Sequence, residues 1–410
     1  MTAHASALDG IRVLDMTRVV AGPMAGQALG DLGADVLKIE RKGEGDDVRR
    51  VGPPWMPGPE RRTGPESTYF QAVNRNKRSL AIDFAIPEGA EIVRQLALQS
   101  DILIENYRPG TLERYGLGYE ALRAINPRLI YCAITGFGQT GPYADRSGYD
   151  YLIQGMGGVM SVTGGVDGES GAVPTRVGIP LVDIFAGQNA VIGILAALRH
   201  RERSGEGQMV DISLFDSQLA AMLNGASAWL NAGVVLGRTG NDHPSAAPYG
   251  VYEVSDGHII IATFNDREFL RLADVLGHPE WKTDSRFSTN GARVANRPLI
   301  KSLVAAAVAP LDRDHWVKTL NAAKVSCGPI NAMPDIEADP HVAARDMIVS
   351  LDHPEGHTVR MTGSPFRLSR TPVTYRTAPP LMGEHTEEVL REVLGTRPDD
   401  LARLRETGCI

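Results

Sequence analysis

Cysteine is scarce in this sequence of 410 residues, and basic residues are not in excess. The three cysteines, Cys132, Cys327 and Cys409, lie far apart and form no C-x-x-C pair or other metal-ligand spacing. This distribution argues against a disulfide framework and against a structural zinc site, so we predict no metal centre. The 42 Lys and Arg residues are outnumbered by 49 Asp and Glu, which gives a net charge of −7. That charge argues against nucleic acid as a partner.

Membrane spans, secretion signals and several catalytic motifs are also missing. No run of about 18 uncharged apolar residues predicts a membrane span, and residues 1–10 lack the basic and apolar regions of a secretion signal. We therefore expect a cytoplasmic protein that does not bind membranes. The motifs G-x-S-x-G and H-E-x-x-H and the P-loop do not occur. The sequence AGPMAG of residues 21–26 stands where the dinucleotide fingerprint G-x-G-x-x-G would be, which disfavours a nicotinamide or flavin cofactor.

Predicted strands and helices alternate along the first third of the chain. The strands cover residues 11–16, 36–40, 79–83, 101–105 and 129–134, and the helices between them cover 23–32, 87–100 and 119–125. This order indicates an α/β fold with a parallel sheet, whose ligands bind beyond the carboxyl ends of the strands. We predict a large Rossmann-like domain over residues 1–225, a smaller α+β domain over 226–330 with a hairpin at Asp256-Gly257, and a third segment over 331–410.

Asp183 lies in an otherwise apolar segment, residues 177–187, near the start of a predicted helix that continues to about residue 198. Pro180 suits the first turn of that helix. Free amide groups and the helix dipole favour an ionised carboxylate at this end, whereas the apolar neighbours would strip it of water. Two interpretations remain open at this point: an acid that caps the helix, and a nucleophile.

Basic residues that follow predicted strands, or precede them, are candidates for binding a phosphorylated ligand. Arg75, Lys77 and Arg78 are concentrated just before a strand, where three cations suit a polyphosphate. A solvated charged turn is the alternative. Arg41 follows the second strand, at the edge of the sheet where ligands are expected. Asn106 and Arg114 fit a ligand-binding loop and a loop that caps a helix about equally well.

Polar and glycine-rich loops supply further candidates. Tyr149-Asp150-Tyr151 precedes a glycine-rich run, residues 155–165, in which the amides of Gly157 and Gly158 can approach an oxyanion closely. A flexible pair of turns explains the glycines as well. His243 is a candidate polar contact in the smaller domain, although an isolated loop histidine is more often simply exposed.

Several motifs in consistent order strongly resemble the class III CoA-transferase family, of CaiB/BaiF type. They are LDMT at 14–17 with AGP at 21–23, GADVLKIE at 33–40, NKRS at 76–79, ENYRPG at 105–110 and GFGQTGP at 136–142. The resemblance covers nearly the whole chain. It implies a Rossmann-like large domain built from both ends of the chain, with residues 331–410 returning to it, and a small domain in the middle. It also implies a homodimer in which the two subunits are interlocked.

The resemblance assigns residues as well. It places Asp183 at the position of the catalytic aspartate, which favours the nucleophile over the cap. It implies that coenzyme A and acyl-CoA are substrates and that no cofactor is permanently bound. The contacts with CoA then fall on loop residues around the sheet edge: Val19, Val20, Ala21, Arg41, Lys77, Asn106, Tyr107, Thr111 and Arg114.

Tyr149 bears on the choice between the activities found in this family. Racemases carry Gly-His-Asp where this chain has Gly148-Tyr149-Asp150, and they need that histidine as a base. A neutral tyrosine, with an ordinary pKa near 10, is a poor base at pH 7. The tetraglycine loop of formyl-CoA transferases is not visible after Trp229, which argues against a formyl or oxalyl group.

We therefore predict an enzyme that moves CoA from an acyl-CoA donor, such as succinyl-CoA or another dicarboxylyl-CoA, to a free carboxylic acid. The reaction would proceed through covalent intermediates on Asp183, with Tyr149 orienting a carbonyl group. An acyl-CoA racemase or epimerase and a non-catalytic CoA-binding protein are the alternatives.

Overall fold

The computed structural model describes residues 6–56 and 67–410. The chain divides into two compact units. The first comprises residues 1–159, 176–235 and 343–410, and the second comprises 160–175 and 236–342. These bounds differ from the predicted ones at three places: residues 160–175 and 331–342 belong to the second unit, and residues 226–235 belong to the first. The segment 160–175 pairs with the start of residues 236–342: the Asp167 amide donates to the carbonyl of Arg238 at 3.1 Å, and the Arg238 amide donates to Asp167 Oδ2 at 2.8 Å.

Eleven strands are assigned in the described part of the chain. They are β1 Arg12–Asp15, β2 Asp35–Glu40, β3 Lys77–Ala81, β4 Ile102–Glu105, β5 Ile130–Thr135, β6 Met209–Ser213, β7 Tyr249–Val254, β8 Gly257–Ala262, β9 Ser326–Pro329, β10 Ile348–Asp352 and β11 Thr358–Thr362.

The helices alternate with these strands in the first unit and dominate the second. They are α1 Ala21–Asp31, α2 Thr68–Ala72, α3 Pro87–Leu98, α4 Tyr119–Ile125, α5 Asp150–Met156, α6 Val159–Val162, α7 Leu181–Ser204, α8 Leu214–Ala221, α9 Leu223–Ala232, α10 Asp266–Val275, α11 Asn290–Ala295, α12 Arg297–Val308, α13 Arg313–Ala322, α14 Met333–Ala338, α15 Pro340–Ala344, α16 Thr386–Leu394 and α17 Pro398–Glu406.

The first unit is built on a six-stranded parallel sheet in the order β3-β2-β1-β4-β5-β6. The predicted α/β class and parallel sheet are confirmed. The sixth strand, β6, was not predicted. After β1 the chain adds β2 and β3 on one side of β1, and then crosses over to add β4 on the other side. Such a switch point leaves a crevice beyond the carboxyl ends of β1 and β4.

Both faces of the sheet are buried, which explains why its strands are almost continuously apolar. Val13 and Ile102 pack on one face with α1 and α7, whereas Leu14 and Leu103 pack on the other face with α3 and α4. The C-terminal segment completes the second face, where Val389 of α16 joins the core.

The second unit has its own core. Its sheet is antiparallel, in the order β7-β8-β9, and the predicted hairpin at Asp256-Gly257 joins the first two strands. The helices α10, α12 and α13 cover it with Phe269, Ile300 and Leu320. Arg293 is fully buried beneath these helices, where its guanidinium donates to the carbonyls of Ala247 and Phe287.

The helix α7 is 24 residues long and apolar enough to cross a bilayer by length and composition alone. No segment long and apolar enough to span a membrane was predicted from the sequence. Core helices of globular proteins meet the same criterion, and α7 packs against α1, β5 and β6 in the first unit. Ala186, Ala190 and Ile194 form its buried face.

Candidate active site

A cavity of about 230 Å³ lies at the switch point of the parallel sheet. Residues 18–21 after β1 and 106–109 after β4 form one side of it, and residues 134–136 at the end of β5 and 146–150 before α5 form another. Asp183 of α7 completes the lining. The structure thus brings together six of the predicted residues, Val19, Val20, Ala21, Asn106, Tyr107 and Tyr149, with Asp183.

Asp183 lies in the first turn of α7, but Asp150 caps that helix. The amide of Val182 donates to Oδ2 of Asp150 at 2.7 Å, and Gln154 donates to the other carboxylate oxygen at 2.7 Å. The first turn of α7 is therefore capped by an acidic acceptor other than Asp183. This arrangement leaves the Asp183 carboxylate directed at the cavity instead of at the helix backbone.

The pKa of Asp183 is strongly perturbed. Burial, reinforced by the negative charge of Asp150, raises it from an ordinary value near 3.8 to about 7. The carboxylate is therefore poorly solvated, which makes it a stronger nucleophile when ionised.

Two tyrosines lie near this carboxylate. Tyr149 lines the same cavity and is 73% exposed, so its hydroxyl is accessible to a ligand. Tyr69 of α2 was not singled out from the sequence. Burial, followed by the charges of Asp183 and Asp150, raises the pKa of Tyr69, so its hydroxyl stays protonated. A tyrosine in a five-residue helix carries no sequence signal that separates it from core aromatics.

The loop after β1 is held in a strained conformation. Val19 has a φ of +72°, which a β-branched residue rarely adopts. The Val19 amide donates to Asp46 Oδ1 at 3.0 Å, and the side-chain amide of Asn106 bonds both the N–H and the carbonyl of Arg18 at 2.9 and 2.6 Å. Asn106 therefore lines the cavity, while its side-chain amide is engaged in fixing the loop that carries Arg18.

Lys77 is buried beneath this loop and does not reach the cavity, contrary to its predicted position in a ligand-binding loop. It lies in β3, where its Nζ donates to Asp15 Oδ2 at 2.9 Å and to the carbonyl of Pro23 at 2.8 Å. A buried ammonium requires such partners. Neighbouring Lys38 pairs with Asp46 at 2.9 Å, and Asp46 in turn accepts from the Val19 amide of the strained loop.

The other cations of the cluster before β3 are also paired within the fold. Arg75 makes two hydrogen bonds to Asp31, at 2.9 and 2.6 Å, and Arg78 binds Asp35 and Glu392. The polyphosphate hypothesis for this cluster is therefore not supported by its geometry.

A second cavity, of about 300 Å³, adjoins the first and shares Arg18, Asp47 and Tyr107 with it. Arg41 and Thr111, to which the resemblance assigns contacts with CoA, line it. Tyr107 lines both cavities, and its ring centroid lies 4.9 Å from the Arg18 guanidinium and 5.8 Å from the centroid of the Phe84 ring. Arg114 is exposed on a short 3₁₀ turn, Leu112–Tyr115, and is not among the residues lining either cavity.

Two further candidates lie elsewhere. The amides of Gly157 and Gly158 donate to the carbonyls of Ile153 and Gly155, at 2.7 and 3.4 Å, so they are engaged at the end of α5. They do not serve as oxyanion donors in this arrangement. His243 belongs to the second unit, where its ring packs edge-on against Tyr249 at 4.9 Å.

Glycine is required where the chain approaches the base of the site. A Cβ on Gly148 would lie 2.4 Å from the Cα of Gly136, and one on Gly136 would lie 2.5 Å from the Cα of Gly148. Only glycine at both positions lets the segment carrying Tyr149 and Asp150 pack on the end of β5.

Comparison with known proteins supports the resemblance read from the motifs. The model of CoA-transferase family III matches residues 8–386. A succinate–glutarate CoA-transferase of Agrobacterium fabrum is 43% identical over 386 residues, covering 94% of this chain and 95% of its own. A succinyl-CoA–D-citramalate CoA-transferase of Chloroflexus aurantiacus is 38% identical over 399 residues, covering 97% and 96%.

A solved structure agrees with these relatives. The crystal structure of a CaiB/BaiF family protein from Brucella suis is 44% identical, with a TM-score of 0.84, and the match covers 95% of this chain and 100% of that one. The family match extends over most of the chain, including both cavities and Asp183. The chain therefore belongs to CoA-transferase family III and is a CoA-transferase.

Proposed function

We propose that this enzyme transfers CoA from succinyl-CoA to a five-carbon dicarboxylic acid, with Asp183 as the nucleophile. The observation that carries the proposal is the Asp183 carboxylate, which lines the switch-point cavity and has its pKa raised to about 7 by burial and by Asp150. The relatives supply the substrate class, since one is named for glutarate and another for D-citramalate, both five-carbon dicarboxylic acids.

The reaction needs four acyl transfers and no net change in bond type. The Asp183 carboxylate attacks the thioester carbonyl and expels CoA thiolate, which leaves a mixed anhydride. The thiolate then attacks the aspartyl carbonyl, releasing the donor acid and forming an aspartyl-CoA thioester. The acceptor carboxylate attacks that thioester and expels the thiolate again. Attack of the thiolate on the acceptor carbonyl finally gives the new acyl-CoA and restores the Asp183 carboxylate.

Coenzyme A would extend across both cavities. The first cavity, of about 230 Å³, is smaller than the roughly 300–1,000 Å³ typical of small-molecule sites, and the second, of about 300 Å³, lies at the lower end of that range. Tyr107 lines both cavities. In this proposal the adenosine end occupies the cavity lined by Arg41 and Thr111. The thioester end passes Val19 and Ala21 to reach Asp183.

The second carboxylate of the acceptor would bind at the cationic rim of the first cavity. Arg108 and Arg146 both line this cavity and both are exposed. The Arg146 guanidinium lies 3.9 Å from the centroid of the Tyr143 ring, and Arg108 hydrogen-bonds Ser147. A guanidinium held in this way matches a carboxylate in a bidentate geometry.

Mass spectrometry tests the nucleophile directly. Incubating the protein with succinyl-CoA should give a CoA-sized adduct on the peptide that contains Asp183, and hydroxylamine should remove it. Asp183→Ala should lose both adduct and transfer. Glu202→Gln, which changes an exposed carboxylate on the same helix, is the matched control and should keep both. Full transfer by Asp183→Ala would refute the mechanism.

Steady-state kinetics test the recognition of the second carboxylate. Loss of a charge-assisted hydrogen bond is worth roughly 1.5–3 kcal/mol, so Arg146→Gln should raise KM for glutarate by about 10- to 100-fold. The same variant should leave KM for a monocarboxylate acceptor unchanged. An equal rise for both acceptors would place Arg146 on the CoA itself.

We further propose that the protein is a homodimer whose two subunits are interlocked. Support comes from apolar side chains of the first unit that are each more than half exposed: Tyr151, Ile192, Leu219, Leu223, Trp229, Leu230 and Val235. They lie on or beside α5, α7, α8 and α9. An apolar surface of this extent needs a covering partner. A second copy of this chain fits the family resemblance.

A further inference from the structure

A cluster of potential metal ligands lies at the tip of the hairpin formed by β10 and β11, outside both cavities. His353, Glu355 and His357 each offer one ligand atom, and these atoms all lie within 4.8 Å of one another. The sequence-based expectation of no metal site rested on the cysteines and did not consider this His-x-Glu-x-His pattern.

The hairpin geometry places the three side chains together. Asp352 and Thr358 form the last pair of the ladder, so His353 and His357 are the next residues facing each other across the strands. The His353 amide donates to the carbonyl of His357 at 2.8 Å, and the two rings lie 4.3 Å apart between centroids. Side chains opposite each other on a hairpin share one face.

The turn itself is closed tightly, which carries Glu355 back over the histidines. The Gly356 amide donates to the carbonyl of His353 at 2.8 Å, and Gly356 has a φ of +83°, a conformation that favours glycine. The Glu355 amide donates to Nδ1 of His353 at 3.3 Å. This bond is long and therefore weak.

The ligand set suits a borderline transition metal. Imidazole and carboxylate bind Zn²⁺ at about 2.0–2.2 Å, and three protein ligands with a water in the fourth position form a known type of tetrahedral site. Ligand atoms in such a site are roughly 3.4 Å apart. The separations between the ligand atoms must therefore shorten by no more than about 1.5 Å. Rotation of the exposed Glu355 side chain can contribute to this change.

The two histidines differ in burial in a way that suits a shielded ion. His353 is 3% exposed and lies on the same face of the hairpin as Val359 and Met361, which are buried. His357 is half-buried and Glu355 is exposed. An ion held here would be shielded by protein on one side and open to water on the other.

We propose that His353, Glu355 and His357 bind one Zn²⁺ ion per chain and thereby cross-link the β10–β11 hairpin. None of the three residues lines either cavity, and the site is structural in this proposal, so it is independent of the transfer reaction.

The test uses full-length protein without a histidine tag, stripped with a chelator and dialysed. Calorimetric titration with Zn²⁺ at pH 7.5 should show saturable binding near one equivalent per chain. Co²⁺ should give visible absorption bands typical of imidazole and carboxylate ligands. Hydrogen exchange at the amides of residues 348–362 should slow when Zn²⁺ is added. Lowering the pH to 5 should abolish binding, because protonated histidine cannot ligate.

Two ligand variants and one control separate this site from adventitious binding. His357→Gln and Glu355→Gln should each lower the affinity by at least about tenfold, a loss expected for removal of a ligand. His200→Gln removes an exposed histidine near the end of α7 and should leave binding unchanged. Equal binding by all three variants would place the ion elsewhere and overturn the proposal. Absence of saturable Zn²⁺ and Co²⁺ binding would overturn it as well.

Discussion

Asp183 must satisfy two opposing requirements. As the proposed nucleophile it must be ionised, yet the burial that would make it reactive also raises its pKa to about 7. Asp150 caps α7 by accepting from the amide of Val182, and its negative charge raises the pKa of Asp183 further. The helix dipole alone would have lowered the pKa, so burial and the neighbouring acid outweigh it here.

The pH dependence of transfer follows from this balance. Activity should rise with pH as Asp183 loses its proton, with a midpoint near 7 in kcat/KM for the acyl-CoA. Asp150→Asn removes the negative charge while keeping an oxygen for the Val182 amide. It should lower the pKa of Asp183 and move the midpoint to lower pH. The measurement is a pH–rate profile of both proteins, and an unchanged or higher midpoint in the variant would contradict the role of Asp150.

The same carboxyl should make stability depend on pH. Its pKa is raised on folding, so its contribution to stability is fully present below about 3.8 and is lost as the pH rises through about 7. Asn mimics the protonated carboxyl. Asp183→Asn should therefore show a melting temperature close to that of the parent at pH 4 and higher by roughly 1–3 °C at pH 8, measured by calorimetry. A variant that is less stable at pH 8 would contradict this pKa.

At the scale of elements, β1 and β2 each carry a residue that forms a buried ion pair. Asp15 ends β1 and binds Lys77 of β3, while Lys38 of β2 binds Asp46, whose other oxygen holds the Val19 amide. The charges of Lys77 and Lys38 outweigh the effect of burial and lower the pKa of Asp15. These pairs connect three neighbouring strands to the strained loop at the cavity.

Breaking one of these pairs should therefore harm both stability and the site. Lys77→Met leaves Asp15 buried without its partner, which should cost about 3–5 kcal/mol in the free energy of unfolding. The double variant with Asp15→Asn removes the unpaired charge and should recover part of that loss. Urea unfolding measures both. A Lys77→Met variant as stable as the parent, with an unchanged KM for acyl-CoA, would mean that Lys77 has no positioning role.

At the scale of the whole molecule, the proposed interlocked dimer would cover the exposed apolar side chains of α8 and α9. Interlocked subunits cannot separate without unfolding of at least one chain. Two differently tagged preparations should therefore show no mixed dimer after days of mixing, and should form it only after denaturation and refolding. Native mass spectrometry gives the measurement. Rapid exchange of subunits would contradict interlocking while leaving a simple dimer possible.

Much of the first unit was predictable because its signals are local. The strands β1, β2, β4 and β5 alternate with helices in a pattern that any parallel sheet must show, and Pro87 marks the start of α3. The strand β6 follows the long helix α7 and carries the polar residues Asp211 and Ser213, so its pattern is weak. Its place in the sheet depends on pairing with β5, a contact between segments about 80 residues apart.

The candidate site was predictable where it follows strands and unpredictable where ion pairs form. Arg41 and Tyr107 line the second cavity because their strands end there. Lys77 has the same charge and a comparable local sequence, but its partner Asp15 is 62 residues away in the chain. No local sequence pattern distinguishes a cationic side chain that is available to bind phosphate from one that forms an ion pair within the fold.

The sequence by itself determined the family, the alternation of strands and helices, and the acid at the start of α7, because each depends on residue identity and local spacing. Only the tertiary structure decided what that acid does at its position: Asp150 caps the helix, and burial raises the pKa of Asp183. The tertiary structure likewise decided that Lys77 is buried in an ion pair with Asp15, whereas Arg41 and Thr111 line the second cavity. Solvation and ion pairing depend on which distant segments meet, and that is fixed only when the chain has folded.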